Sequence, residues 1–182
     1  MTRHMKTTMD YVHRYQSPLG GITLASDGTA LVGLWFDEQR FFAASVQQDR
    51  EEKPLPVFEQ AVRWLELYFR GHDPGFTPPI AFRTTDFRRE VGTIMLDIPY
   101  GRTMTYGTIA QIVARRRGVP RMSAQAVGGA VGHNAISLII PCHRVIGAGG
   151  ALVGYGSGLD RKAALLDLEH ADLSGDFVPG CI

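Results

Sequence analysis

Short β-prone stretches separated by turn residues dominate the first third of the chain. The pattern predicts three strands, at residues 11–15, 21–25 and 30–36. Ser-Pro-Leu-Gly and Ser-Asp-Gly sequences separate them and favour tight turns. We therefore expect an antiparallel meander. The following charged, proline-containing residues 51–56 predict a loop.

A helical stripe follows, and then a break. Apolar residues recur with helical spacing between Phe58 and Arg70, and Gly71 ends the pattern. Residues 72–80 contain three prolines and a glycine and are the best candidate for a linker. The sequence predicts an α+β protein in two parts, a small antiparallel sheet with a helix at 1–82 and a mainly helical part at 83–182.

The second part contains two helices joined by a short connector. Thr105 can cap a helix that runs to about Arg116, where cations favour the helix C-terminus, and Gly118 ends it. A second helix is predicted from about Ser123 to about Gly132. Because only a few residues separate the two helices, they fit a helix-turn-helix unit.

The second helix of this pair has two different faces. Three apolar residues are predicted to pack on the first helix: Ala124, Val127 and Val131. The opposite face consists of Gln125, Gly128, Gly129 and Gly132. Each internal glycine lowers the stability of a helix by ~1 kcal/mol relative to alanine. Several glycines on one face therefore suggest that another group must approach this backbone closely. Either a DNA groove or a tightly packed neighbouring helix would explain the face.

Charge and cysteine content narrow the class of protein. The net charge is only +1, but residues 88–144 contain eight arginines and two acidic residues, a local net charge of +6. This is a phosphate-binding surface or a set of solvated helix ends. The two cysteines, Cys142 and Cys181, are too few for a disulfide framework and lack zinc-site spacing. With no membrane span and no secretory signal, the predicted location is cytoplasmic.

Candidate chemistry centres on a Cys-His pair. The apolar residues 136–140 predict a buried extended segment leading to Cys142 and His143. A thiol attacks only as thiolate, so it needs a base, yet neighbouring side chains of an extended segment point apart. Coupling would then require a bent backbone or a water. Alternatively, Cys142 is simply a small buried hydrophobe.

The predicted last helix ends at a carboxylate residue. This helix starts at Asp160, and its inward-facing residues are Ala164, Leu165 and Leu168. Glu169 lies at its C-terminal end, where the macrodipole disfavours an acid. Either it is solvated, or it orients and charges His143 as the third member of a nucleophile–base–orienter relay.

Several motifs occur together between Phe87 and His170: Ile98-Pro-Tyr-Gly101, Thr105-Tyr-Gly107, Ala126-Val-Gly-Gly129, Asn134, Ile140-Pro-Cys-His-Arg-Val145, Gly154-Tyr155 and Leu165-Leu-Asp-Leu-Glu169. In these motifs the chain closely resembles the O6-alkylguanine-DNA alkyltransferases, also called methylated-DNA–protein-cysteine methyltransferases. The N-terminal 85 residues match only in pattern, as a sheet with a helix like the family's ribonuclease-H-like domain.

The resemblance implies direct DNA repair. Cys142 would irreversibly accept a methyl or larger alkyl group, once per molecule, from O6 of guanine, with O4 of thymine as a further substrate. His143 would activate the thiol through a water, Glu169 would orient His143, and Asn134 would brace the turn. Tyr106 would approach the flipped nucleotide and donate a proton to the departing guanine. No metal or organic cofactor is expected.

The resemblance also implies how DNA is held. Tyr155 would line the base pocket, and backbone groups of Val145 and Gly156 would read the guanine. The expected partner is double-stranded DNA with O6-alkylguanine, bound through its minor groove by a monomer of this protein. Residues expected to contact it are Arg121, Ser123, Ala124, Gln125 and Gly128.

The sequence departs from the family pattern at two positions. Gln125 stands where many members have an arginine that replaces the flipped base, which makes Arg121 a second candidate for this role. Ala135 stands where many have proline. Cys181 is expected to be dispensable.

Three alternative functions fit the sequence less well. A non-catalytic lesion-binding relative would lack Cys142, and a Cys-His hydrolase would need an oxyanion hole, which is not evident. A helix-turn-helix regulator would not need Cys142, His143 and Glu169 together.

Overall fold

A four-stranded sheet forms the first part of the computed structural model, which describes residues 9–179. The strands of the protein are β1 (Asp10–Ser17), β2 (Gly20–Ser26), β3 (Leu31–Phe36), β4 (Arg50–Glu52), β5 (Met104–Thr105) and β6 (Val145–Ile146). The four-stranded sheet has the order β3-β2-β1-β4. The α-helices are α1 (Pro56–Phe69), α2 (Asp86–Leu96), α3 (Tyr106–Arg117), α4 (Ala124–Gly132) and α5 (Leu159–Leu168). Single 3-10 turns lie at Cys142–Arg144 and Ala148–Gly150.

The three predicted strands are confirmed as an antiparallel meander, and a fourth strand joins them. β4 pairs in parallel with β1, so the sheet is mixed rather than wholly antiparallel. The prediction of a loop at residues 51–56 was therefore wrong for residues 51 and 52, which belong to β4. All three residues of β4 are exposed. An edge strand with no buried face needs no apolar positions, which is why its sequence is typical of a loop.

Both helices of the predicted pair are confirmed, as are the predicted Thr105 cap and Gly118 stop of the first one. The Thr105 hydroxyl accepts a hydrogen bond from Thr108 N at 3.0 Å, and Gly118 ends α3 with a left-handed φ of 64°. Ser123 caps α4 by accepting from Ala126 N at 3.3 Å. These caps satisfy backbone groups that a helix end otherwise leaves without partners. α2 packs against both α3 and α4.

One hydrophobic core runs through both parts of the chain. It joins apolar residues of β2, β3 and α1 to those of α2, α3, α4 and the segment before Cys142. Leu34 of β3 donates its N–H to Ala135 O at 2.8 Å and accepts from Ser137 N at 2.9 Å. The edge of the N-terminal sheet therefore holds the turn that precedes the cysteine. The domain boundary near residue 82 stays a prediction.

The segment at residues 136–140 is buried, as expected, but it is not extended. Ile140 N donates to Ile136 O at 3.0 Å, which closes a turn, and Leu138 has a positive φ of 67°. A left-handed conformation is uncommon for a leucine and persists only where the surroundings enforce it. The apolar run therefore reflects burial inside a turn rather than a strand.

Among residues 9–179, no helix combines the length and apolar character needed to cross a membrane. Cys181 lies outside the described residues.

Candidate active site

Cys142 begins the 3-10 turn at the end of this buried segment, and its side chain is almost fully enclosed. Asn134 fixes the region with its amide: Nδ2 donates to Cys142 Sγ at 3.2 Å and to Ile140 O at 2.8 Å. Its Oδ1 accepts from Ile136 N at 3.1 Å. A single side chain thus holds both the turn and the sulfur.

The resting thiol is protonated at neutral pH. Burial raises the pKa of Cys142, and this effect outweighs the hydrogen bond from Asn134 and the charge of Lys162, which both lower it. A thiolate must therefore be generated by transfer of the proton to a base.

His143, the residue after Cys142, forms a buried histidine–carboxylate pair with Glu169. His143 Nε2 lies 2.6 Å from Glu169 Oε1, and both side chains are fully buried. The other ring nitrogen, Nδ1, is buried and has no hydrogen-bond partner within residues 9–179. Burial lowers the pKa of His143, so the imidazole is neutral and Nδ1 can accept a proton.

Glu169 stays ionised despite its burial. Tyr68 OH donates to its Oε1 at 2.7 Å, Arg144 Nε donates to its Oε2 at 2.9 Å, and Gly101 N donates to Oε2 at 3.0 Å. Burial raises the pKa of the carboxyl, but His143 and Arg144 outweigh it and hold the pKa well below its ordinary value. The alternative that Glu169 is a solvated residue at a helix end is therefore wrong.

The basic surface is smaller than the charge count suggested. Arg144 is buried, bound to Glu169 and to Ile98 O at 2.6 Å, so it offers no charge to a phosphate. Arg117 forms an ion pair with Glu90 at 2.8 Å. The exposed arginines around the helix pair include Arg115, Arg116 and Arg121.

Lys162 of α5 is fully buried under the site. Its Nζ donates to Val145 O at 2.6 Å, to Val153 O at 2.9 Å and to Gly154 O at 3.3 Å. Burial lowers its pKa to about 8, although the nearby Cys142 favours the charged form. Lys162 therefore ties the segment after the cysteine to the loop at residues 153–154.

A small pocket opens beside the sulfur. It is lined by Gln39, Val131, Gly132, Asn134, Ser137, Cys142, Gly154, Tyr155 and Gly156. Tyr106 OH donates to Val153 O at 3.0 Å and thus lies at the loop that forms one wall. Within the described part of the chain, no cluster of three or more His, Cys, Asp or Glu side chains could hold a metal ion.

Val145 lies apart from this pocket. It is completely buried, its N–H donates to Cys142 O, and its carbonyl accepts from Lys162. Its N–H is therefore already engaged, and its carbonyl uses one of its two lone pairs on Lys162, whereas Gly156 directly lines the pocket.

The Gly-rich face of α4 points outward. A Cβ added at Gly129 or Gly132 would meet nothing within 4 Å, and one at Gly128 would lie 3.9 Å from the Tyr106 ring. At Gly129 and Gly132, tight helix packing therefore does not explain the glycines. On the inner face Val127 and Val131 are buried as predicted, but the third inner residue is Ala130, because Ala124 is exposed.

Sequence reasoning missed four side chains of the site: Gln39, Tyr68, Arg144 and Lys162. Arg144 belongs to the same short motif as Cys142 and His143. The sequence could therefore have indicated that Arg144 is buried and binds Glu169. Tyr68 occupies an ordinary core position of α1, and Gln39 lies in a loop with no motif. Nothing local in the sequence marks either of them.

The two parts of the chain each match a known domain. Residues 11–82 match the ribonuclease-like domain of 6-O-methylguanine DNA methyltransferase, and residues 86–171 match its DNA binding domain. The methylated-DNA–protein-cysteine methyltransferase of Mycobacterium bovis is 42% identical over 170 residues, covering 93% of this chain and 98% of that protein. Its counterpart from Methanosarcina acetivorans is 41% identical over 161 residues, covering 87% and 97%.

Solved structures agree with these matches. The crystal structure of Mycobacterium tuberculosis OGT in complex with DNA has a TM-score of 0.74 and 42% identity, and the alignment covers 88% of this chain and 92% of that one. These relatives and both domains confirm the predicted function, direct repair of O6-methylguanine in DNA by methyl transfer to a protein cysteine. The chain belongs to the 6-O-methylguanine DNA methyltransferase family.

Proposed function

We propose that Cys142 is the acceptor of the methyl group and that His143 and Glu169 generate its thiolate. The thiol proton passes to His143 Nδ1, directly or through a water, and Glu169 stabilises the imidazolium that forms. The sulfur then attacks the methyl carbon, so that a new S–C bond forms as the C–O6 bond breaks. The departing guanine takes up one proton.

One observation supports this assignment above the others. His143 commits Nε2 to a buried, ionised Glu169 and keeps Nδ1 without a partner in the described chain, one residue from a buried thiol. This is the nucleophile–base–orienter arrangement that a cysteine needs for covalent chemistry. The thioether product has no easy leaving group, so each molecule acts once.

Tyr106 is the proposed proton donor to the leaving base. Burial raises its pKa to about 12, so the phenol keeps its proton at neutral pH. Its hydroxyl now donates to Val153 O at 3.0 Å and would exchange this bond for one to the guanine. Tyr155 and Gly156, which line the pocket, would contact the base.

The exposed face of α4 is the proposed DNA-binding surface. An O6-alkylguanine lies inside the base stack, so it must be flipped out before its alkyl carbon can reach Cys142. Val131 and Gly132, at the end of α4, line the pocket, so a groove docked on α4 would lie beside it. Ser123, Ala124, Gln125 and Gly128 would approach the minor groove, with Gln125 or Arg121 filling the vacated space.

Larger alkyl groups and O4-alkylthymine are proposed as additional substrates. The protein would act as a monomer on double-stranded DNA, as a cytoplasmic protein. Cys181 would not be needed for transfer.

Intact-protein mass spectrometry tests the acceptor. After incubation with an O6-methylguanine duplex, we expect one methyl group per molecule, located by peptide mapping on the peptide that contains Cys142. Cys142→Ser, the matched control, should remain unmodified. A methyl group on Cys181, or folded protein without any adduct, would contradict the assignment. A lesion-binding protein or a regulator would bind the duplex and leave Cys142 unmodified.

A further inference from the structure

Gln39 brings the N-terminal part of the chain into the wall of the pocket beside Cys142. It belongs to the β3–β4 loop, residues 37–49, yet its side chain is buried. Its Oε1 accepts from Phe36 N at 3.2 Å, Ser137 Oγ at 3.1 Å and Ser157 Oγ at 2.9 Å. Three donors fix the amide, so the side chain is held in one position.

The backbone holds this side chain in place at some conformational cost. Glu38, Phe41 and Ala43 all have positive φ, of 65°, 60° and 55°. Such conformations in residues other than glycine persist only where surrounding contacts enforce them. Here Arg40 N donates to Gly156 O at 3.0 Å, and the Phe41 ring stacks on His133 with centroids 4.1 Å apart.

The pocket that Gln39 closes is nearly full. Its cavity is about 10 Å³, close to the least space that one water needs. Gln39 and Cys142 border this same cavity. A Cβ atom added to Gly156, on another wall, would lie 3.4 Å from Gln39 Cγ. Any group delivered to the sulfur must therefore fit in space that the Gln39 side chain limits.

We infer that Gln39 is a specificity-determining residue that limits the size of the alkyl group transferred to Cys142. The inference rests on the proposed acceptor. Shortening this side chain opens space beside the sulfur, which benefits a bulky alkyl group more than methyl. A side chain of similar length preserves the limit even if it cannot form the three hydrogen bonds.

The test compares single-turnover rate constants for duplexes carrying O6-methylguanine or O6-benzylguanine. In Gln39→Ala and Gln39→Ser the benzyl-to-methyl ratio should rise at least about tenfold, the lower end of what a methylene-sized change in a pocket does. Gln39→Met should keep the wild-type ratio, because it preserves length. Gln48→Ala, an exposed glutamine on the same loop, is the matched control and should also keep it.

Three results would overturn the inference. The first is an unchanged benzyl-to-methyl ratio in folded Gln39→Ala or Gln39→Ser, and the second is an equal rise of this ratio in Gln39→Met. The third needs no variant: a wild-type protein that transfers benzyl as fast as methyl has no such size limit. If the wild-type protein places no methyl group on Cys142, the acceptor assignment fails instead, so the two failures are distinguishable.

Discussion

Each polar atom around Glu169 offsets part of the cost of burying a carboxylate. An ionised carboxylate without partners is strongly disfavoured in a protein interior. Here Tyr68, Gly101, Arg144 and His143 all bind its two oxygens. Because the carboxylate is held on several sides, His143 meets a charge of fixed position, which would favour the imidazolium in the proposed proton transfer.

Removing the Tyr68 hydroxyl should therefore weaken the protein. In Tyr68→Phe the ring still fills the core, but Glu169 loses a hydrogen bond of 2.7 Å. We expect the free energy of unfolding to fall by about 1.5–3 kcal/mol, the usual contribution of a hydrogen bond to a charged group. Urea unfolding measures it. The control is Tyr15→Phe, a half-buried tyrosine on β1; equal losses in both variants would contradict the role of the hydroxyl.

Residues such as Tyr68 show where sequence reasoning stops. Thr105, Ser123 and Gly118 were predictable because a cap depends on neighbours within one turn of a helix. Cys142, His143 and Glu169 were identifiable because they belong to the motifs in which the chain resembles the alkyltransferase family. Tyr68 and Glu169 are 101 positions apart, so only the folded chain brings them together.

At the scale of elements, α4 combines a buried apolar face with an exposed backbone. Val127 and Val131 anchor it in the core, while Gly129 and Gly132 leave its outer surface nearly flat. Internal glycines weaken a helix, so packing and the Ser123 cap must hold α4 in place. The glycines lower the stability of α4 and allow a binding partner to approach its backbone closely.

Gly129→Ala should change stability and DNA affinity in opposite directions. In the free protein the new methyl group meets nothing within 4 Å, so the helix should gain about 0.5–1 kcal/mol. Against a duplex the same methyl group should hinder close approach and raise Kd. Urea unfolding and fluorescence anisotropy measure the two effects. A variant that gained stability and bound duplex as tightly as wild type would contradict the proposed docking face.

Gln125→Arg should strengthen duplex binding without altering the thiol. The exposed side chain gains one positive charge, so the dependence of log K on log salt should become steeper by about one if it reaches a phosphate. Salt titrations by anisotropy measure this slope. Gln16→Arg, the same change on β1, adds the same charge far along the chain from α4. Identical affinities for Gln125→Arg and wild type would count against a finger role at this position.

Two of the segments that were not predicted correctly depend on distant partners. β4 exists because β1 offers an edge, and the turn at residues 136–140 exists because Asn134 and β3 hold it. Neither leaves a periodic pattern in its own few residues. Local patterns were sufficient for α1, α3, α4 and α5 and for the three meander strands, whereas α2 was not predicted.

On the scale of the whole molecule, the two parts share one core and one set of polar contacts. β3 holds the turn before Cys142, α1 supplies Tyr68 to Glu169, and the β3–β4 loop supplies Gln39 to the pocket. Interfaces of this apolar character give little freedom for relative motion of the parts. We expect both parts to unfold together.

Acidification should destabilise the molecule as a whole. The pKa of Glu169 lies well below its ordinary value of 4.5, and those of Asp10 and Asp27 are also lowered. The pKa of His143 is lowered from 6.5. In each case the unfolded chain binds the proton first as the pH falls, so stability is lost progressively below about pH 6.5 and further below about pH 4.5. Urea unfolding at pH 7 and pH 5 tests the sign, and equal or greater stability at pH 5 would contradict it.

The several contacts of Glu169 also bear on how this protein can vary between lineages. Glu169 binds Arg144 and Tyr68 as well as His143. A substitution of Glu169 that changed the proposed action of His143 on Cys142 would therefore also change the free energy of unfolding. Selection cannot adjust the two properties independently at this position. We expect neutral drift to be slow around Glu169, and adaptation of substrate range to arise instead at Gln39, where a change affects the pocket wall and leaves the charged centre intact.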